Sequence, residues 1–164
     1  MLLENIKDIL QYKNISIPNN ILYDIELGIR NNTYINNHVS FLIDQKTNSI
    51  ITYGFNYYLK SNKFPFSLHS EINTINKYYK KNLNRAITKS KKILIILKIS
   101  KTGIIGNSKP CFNCANFIYN NYNNLNLANI YYSSPCNKLV LLMKKDFKKN
   151  IFKRSSGFKE SSNT

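Results

Sequence analysis

The stretch KKILIILKIS, residues 91–100, decides the fold. It is a nearly unbroken run of Ile and Leu that lacks the alternation of a half-buried strand, and it predicts a central strand covered on both faces. Such a strand needs a layer of helices on each side. Working back from it, the periodicity from His69 onward is helical, with Ile72, Ile75, Tyr79 and Leu83 as the apolar stripe. SNKFPFS, residues 61–67, reads as a loop. HVSFLID (38–44), the turn QKTNS and IITYGFNYYL (50–59) read as a β-hairpin, with Gly54 marking a bulge. Two helices precede it. One covers 2–12, with Leu3, Ile6 and Leu10 on one face, and one starts after Asn20, with Leu22, Ile25 and Ile29.

Forward of the central strand, KTGIIGNSK is a loop and a helix begins at Pro110, a residue tolerated in a first turn because its missing N–H has no intrahelical partner there. Its stripe is Ala115, Ile118, Tyr119 and Tyr122. ANIYYSS (128–134) is a strand. KLVLLMKKDF (138–147) also suits a helix, and the short turn SPCN before it favours a strand. The order predicts an α/β fold with a mixed five-stranded sheet and helices on both faces. One domain spans 1–147, with N-terminal helices over 1–32, and a basic, Ser-rich tail follows over 148–164.

Composition bounds the partners. The chain of 164 residues has 43% hydrophobic residues and a formal net charge of +16, so it folds around a core and invites a polyanionic partner. The charge is nearly all lysine, Arg30, Arg85 and Arg154 being the arginines, and Lys, Asn, Ile and Tyr are enriched together, as AT-rich coding would also produce. No run approaches the roughly 20 apolar residues of a membrane span, and the N-terminus does not read as a signal peptide. An intracellular, cytoplasmic protein is expected, with no membrane partner. There, a C-x-x-C pair is better explained by metal or redox chemistry than by a disulfide.

The chemistry is concentrated in SLHSEIN (67–73) and SKPCFNC (108–114). Cys111 and Cys114 lie three apart in a first helical turn, where the positive end of the helix dipole favours thiolates. His69, at another helix start, can supply an imidazole. Two thiolates and one imidazole suit zinc and leave a fourth position for water; Cys136 is the alternative occupant of that position. Glu71 is placed to carry a proton beside a metal-activated water.

H-S-E followed by P-C-F-N-C resembles the H-x-E…P-C-x-x-C signature of the zinc-dependent cytidine/deoxycytidylate deaminase superfamily. The likeness in element order extends over about residues 35–145, the expected catalytic core. It implies a three-layer α-β-α cytidine deaminase-like fold and one catalytic Zn2+ with a bound water, held by His69, Cys111 and Cys114. Glu71 is then the proton carrier in hydrolysis of a cytosine-type amine. It further implies that Asn56 contacts the sugar and that the backbone around Ser70, Pro110 and Cys111 faces the substrate. A turn-capping role for Asn56 stays open, and His38 reads as an ordinary loop histidine. A turn as short as SSPCNK cannot make a parallel crossover, which favours the branch with a C-terminal β-hairpin. The substrate is a free nucleoside or nucleotide, or a single-stranded nucleic acid stacked on the aromatics around Tyr57 and Tyr58 with Lys60 and Lys63 near its phosphates. Tyr57 and Tyr58 equally suit core packing or a subunit contact in a homo-oligomer. A non-catalytic zinc module binding nucleic acid through its lysines is the reading from another class.

Overall fold

This computed structural model describes residues 2–31, 36–59, 66–83 and 89–149. The central strand is β5 (Lys92–Ser100), buried on both faces along most of its length. It lies between β1 (Asn36–Asp44), antiparallel to it, and β7 (Leu127–Ser134), parallel to it. The outer strands are β2 (Ile50–Phe55), antiparallel to β1, and β8 (Lys138–Leu142), antiparallel to β7, giving the order β2-β1-β5-β7-β8. The sheet is mixed and has six strands rather than five. The extra one is β6 (Ile105–Gly106), inside the stretch expected to be loop, and it pairs with Lys98 and Ile99 of β5.

Alternation along β5 feeds two separate cores. Ile93, Ile95, Leu97 and Ile99 face α1 (Leu2–Gln11) and α2 (Asn19–Asn31), joining Ile6, Leu10, Ile25 and Ile29 with Val39 and Phe41. Leu94 and Ile96 face α3 (Ser70–Lys81) and α4 (Phe112–Asn121), joining Leu42, Ile75, Tyr78, Ala115, Ile118 and Ile130. Each fully buried Ile or Leu contributes roughly 1.5–3 kcal/mol, so the two apolar sets hold a helical layer on either face.

The parallel step from β5 to β7 passes through α4, as a crossover requires. The step from β7 to β8 is a tight hairpin instead. Ser134 pairs with Lys138, and Asn137 adopts the left-handed conformation (φ 53°) that closes the turn. β8 ends at Leu142, and Lys144–Lys149 form a 3-10 helix, so KLVLLMKKDF is a strand only in its first half. Residues 150–164 of the expected tail, and the loop with Lys60 and Lys63, lie outside the described residues.

Three local expectations are corrected. The strand expected over 50–59 stops at Phe55, and Tyr57–Leu59 (β3) pairs instead with Phe66–Leu68 (β4) in a separate hairpin, so 66–67 are strand rather than loop. Tyr57 is 41% exposed and is not core. The bulge lies at Ile51, where the register jumps between Leu42↔Thr52 and Ile43↔Ile50, and not at Gly54, which pairs regularly with Ser40. On α3 the buried face is Glu71, Thr74, Ile75 and Tyr78; Ile72 and Tyr79 are half-buried and Leu83, past the helix end, is 76% exposed.

Gly54 is needed for space. A Cβ there would stand 2.7 Å from Thr74 Oγ1 and 2.8 Å from Thr74 N, because α3 lies flat on β2 at this point. Gly54→Ala should therefore destabilise the protein by about 1–3 kcal/mol through overpacking against helix backbone. A denaturant midpoint unchanged from wild type would contradict that close seating.

Candidate metal centre

α3 and α4 both begin at the sheet end formed by the start of β1 and the ends of β2 and β5. Each helix is entered through one ligand residue. His69 is the N-cap of α3 (φ −75°, ψ 152°) and Cys111 the N-cap of α4 (φ −72°, ψ 169°), and neither side chain caps its own helix. The side chains turn toward each other. His69 Nδ1 lies 3.5 Å from Cys111 Sγ and 3.2 Å from Cys114 Sγ, and the ligand atoms of the three residues all fall within 4.8 Å of one another. Zn–S and Zn–N bonds of about 2.3 and 2.0 Å at tetrahedral angles place S and N about 3.5 Å apart, so the group can hold such an ion. Pro110 is buried immediately before Cys111 and outside the helix, which starts two residues later than expected.

Polar clamps set these helix starts. On the α3 side the hydroxyls of Ser40 and Thr74 lie 2.6 Å apart, Thr74 Oγ1 also donates to Ser40 O (3.1 Å), and Asn73 Nδ2 donates to Phe55 O (2.8 Å). On the α4 side Ser108 Oγ donates to Ile96 O (2.7 Å) and accepts from Ser133 N (2.7 Å), while Ser133 Oγ donates to Gly106 O (2.7 Å). Ser108, like Ser40, Thr74 and Ser133, is buried, so the Ser40–Thr74 bonds and those of Ser108 are made away from water and fix backbone firmly.

The electrostatics follow from burial and from the hydrogen bonds among the ligand side chains. Cys111 is lowered to about 4, chiefly by the hydrogen bond from the Cys114 thiol, with His69 adding to it. Cys114 is raised, first by that same bond, then by burial and by the charge of Glu71. The two shifts run in opposite directions, favouring thiolate at Cys111 and thiol at Cys114. His69 is raised, mainly by its hydrogen bond to Cys111. Glu71, 4% exposed in the first turn of α3, is raised above the usual carboxylate range by burial. Ser70 is fully buried, and its hydroxyl donates to Glu71 Oε2 (3.2 Å).

The remaining expected residues divide. Cys136 is exposed in the β7–β8 turn, outside the ligand group. Asn56 closes the β1–β2 ladder: its N–H donates to His38 O (3.1 Å) and its Oδ1 accepts from His38 N (2.7 Å), the capping role that stood open. His38 is no loop histidine. It lies in β1, half-buried, and is lowered to about 4, first by burial and then by the charges of Lys98 and His69. Reading HVSFLID as alternating would have put His38 on the face of Ser40 and Leu42, the face that carries α3.

Metal binding should need His69, Cys111 and Cys114 and ignore Cys136. Cys111→Ser or His69→Ala should abolish stoichiometric zinc binding, and Cys136→Ser should bind one equivalent like wild type; loss of zinc from the last variant would bring Cys136 into the site. The ligands must shed protons that His69 and Cys114 hold more tightly than free side chains do, so affinity should rise with pH. Chelator competition at about pH 6 and pH 8 reads this, and equal affinities would contradict it.

Among the described residues no helix is long and apolar enough to cross a membrane. No protein-family model matches the chain. No curated protein matches it either. Among solved structures it is similar to the cytidine deaminase from Mycobacterium leprae, with 13% identity over 77% of this chain and 94% of that one and a TM-score of 0.44.

Proposed function

We propose that the protein is a zinc-dependent hydrolytic deaminase acting on a cytosine-type base, converting a cytidine or deoxycytidine unit and water to the uridine or deoxyuridine unit and ammonia. The observation that carries this reading is the convergence of His69 Nδ1 and the Cys111 and Cys114 sulfurs beside the buried carboxyl of Glu71. A purely structural zinc site would have no use for that carboxyl, whose burial is costly to the fold. The antiparallel β7–β8 hairpin supports the branch of the superfamily that holds free cytidine deaminases, blasticidin deaminases and certain deaminase toxins.

His69, Cys111 and Cys114 hold the zinc, which when bound supplies Lewis-acid activation of water. Glu71 then does the proton work. Burial raises its pKa, which makes the carboxylate a stronger base for the proton of the attacking water, and it then returns that proton as an acid. The proton goes to the ring nitrogen as the C–O bond forms; the carboxylate then takes the proton of the new hydroxyl and passes it to the exocyclic amine, which leaves as ammonia as the C–N bond breaks and the carbonyl forms. Ser70 orients the carboxyl through Oε2. The backbone at Ser70 and Pro110 lines the approach, with Asn56 at the sugar, its Nδ2 being the half of the amide not spent on His38.

Glu71→Ala should keep one zinc per chain and lower turnover of cytidine substrates roughly a hundredfold to ten-thousandfold. Turnover that survives the substitution, or zinc-loaded wild-type protein that deaminates none of cytidine, deoxycytidine, single-stranded DNA or RNA, would leave the non-catalytic zinc module as the better description.

A further inference from the structure

β5 carries two lysines that the alternation places on the α3/α4 side, and they are treated differently. Lys92 is fully buried, its ammonium donating to Ser90 O (2.9 Å) and lying 5.4 Å from the Tyr78 ring centre. Lys98, at the other end of the strand, is half-buried. Its stem lies along Gly106, where a Cβ would come within 3.0 Å of Lys98 Cδ, so the missing side chain of Gly106 makes room for it. Among the described residues its ammonium has neither a carboxylate partner nor a ring beneath it. An ammonium with its stem held in place and no carboxylate partner is free to take an anion.

Its position says which anion. Lys98 stands directly opposite His38 in the β1–β5 ladder, and His38 is tied by two hydrogen bonds to Asn56 beyond the end of β2. Asn56, His38 and Lys98 therefore form a row across three adjacent strands, about 10 Å from end to end at the usual strand spacing. Lys98, His69 and Cys111 all act electrostatically on the His38 imidazole, so the row runs past the metal group. Its length matches a sugar and the phosphate attached to it.

We propose that Lys98, with His38 beside it, is the phosphate-binding element of this site, so that the substrate is a nucleotide unit rather than a free nucleoside. The inference rests on the deaminase reading for the identity of the site and deepens it by naming the substrate class. The phosphate is either that of a mononucleotide or one in a single strand.

The test uses the zinc-loaded full chain and reaction products, which do not turn over. Equilibrium binding of uridine, uridine 5′-monophosphate and a uridine trinucleotide is compared for wild type, Lys98→Met and Lys98→Arg. Wild type should bind a phosphorylated ligand about tenfold to a hundredfold more tightly than uridine. Lys98→Met, which keeps a stem on Gly106, should bring that ratio close to one, and Lys98→Arg should restore most of it. Preference for the monophosphate assigns the phosphate to a mononucleotide; preference for the trinucleotide alone assigns it to a single strand. A wild-type ratio near one, or a ratio that Lys98→Met leaves intact, overturns the proposal. Deamination of the cytidine counterparts separates it from the broader reading. Turnover without phosphate preference removes this inference alone, and phosphate preference without turnover of any cytidine derivative removes the deaminase while leaving the phosphate site.

Discussion

The site depends on how closely α3 lies on the sheet. Thr74 meets β2 where Gly54 offers no side chain, and its hydroxyl bonds to both the hydroxyl and the carbonyl of Ser40 in β1. One residue nearer the helix start, Asn73 grips the carbonyl of Phe55 at the end of β2. Helix and two strands are thereby locked together within about a turn and a half of His69 and Glu71. An apolar contact would hold α3 with comparable strength but would let it slide. Hydrogen bonds made out of water fix both distance and direction.

The second helix is held by the same means at the same end of the sheet. Ser108 and Ser133 tie the approach to α4 to the backbone of β5 and β7, and β6 adds a short ladder that steers the chain toward Cys111. Cys114 then follows from helical geometry, one turn along and fully buried. Because both helices start at one place, their unpaired N–H groups and dipoles bring partial positive charge to the sulfurs. The hydrogen bond from the Cys114 thiol, with that from His69, favours thiolate at Cys111, which in turn raises His69.

The apolar skeleton was legible in the sequence and the polar scaffold was not. KKILIILKIS announced a doubly covered strand because Ile and Leu at successive positions have no other economical arrangement, and the brevity of SPCN dictated the β7–β8 hairpin. The motif residues were legible as well, since His, Glu and two Cys at helix starts are an uncommon conjunction. The stripe of α3 was misread by one position, because the face it buries is largely Glu71, Thr74 and their polar neighbours, which a search for apolar periodicity discards. β6 was missed because two residues carry no period. The break at Asn56 was missed because its side chain substitutes for the backbone in the ladder with His38, a role that residue type alone does not declare. His38 and Lys98 were passed over for a related reason: each is an ordinary residue until register sets it opposite the other, beside the metal ligands.

Burial of Glu71 is the feature that fold stability alone would select against. With its pKa raised, the folded state holds the proton more tightly than the unfolded chain does. Stability is therefore retained while pH lies below the unfolded carboxyl's range and declines as pH rises through it toward the folded value. At neutral pH the carboxyl works against the fold. A cation held by His69, Cys111 and Cys114 acts in the opposite sense, since its positive charge favours ionised Glu71 as well as the two thiolates. The ligands and the carboxyl thus form one electrostatic unit, and the clamps at Thr74 and Ser108 hold it together when the cation is absent. The same logic extends outward to Lys98, whose ammonium has no carboxylate partner among the described residues. On the proposed reading, a metal ion would complete the inner charges and a substrate phosphate the outer one.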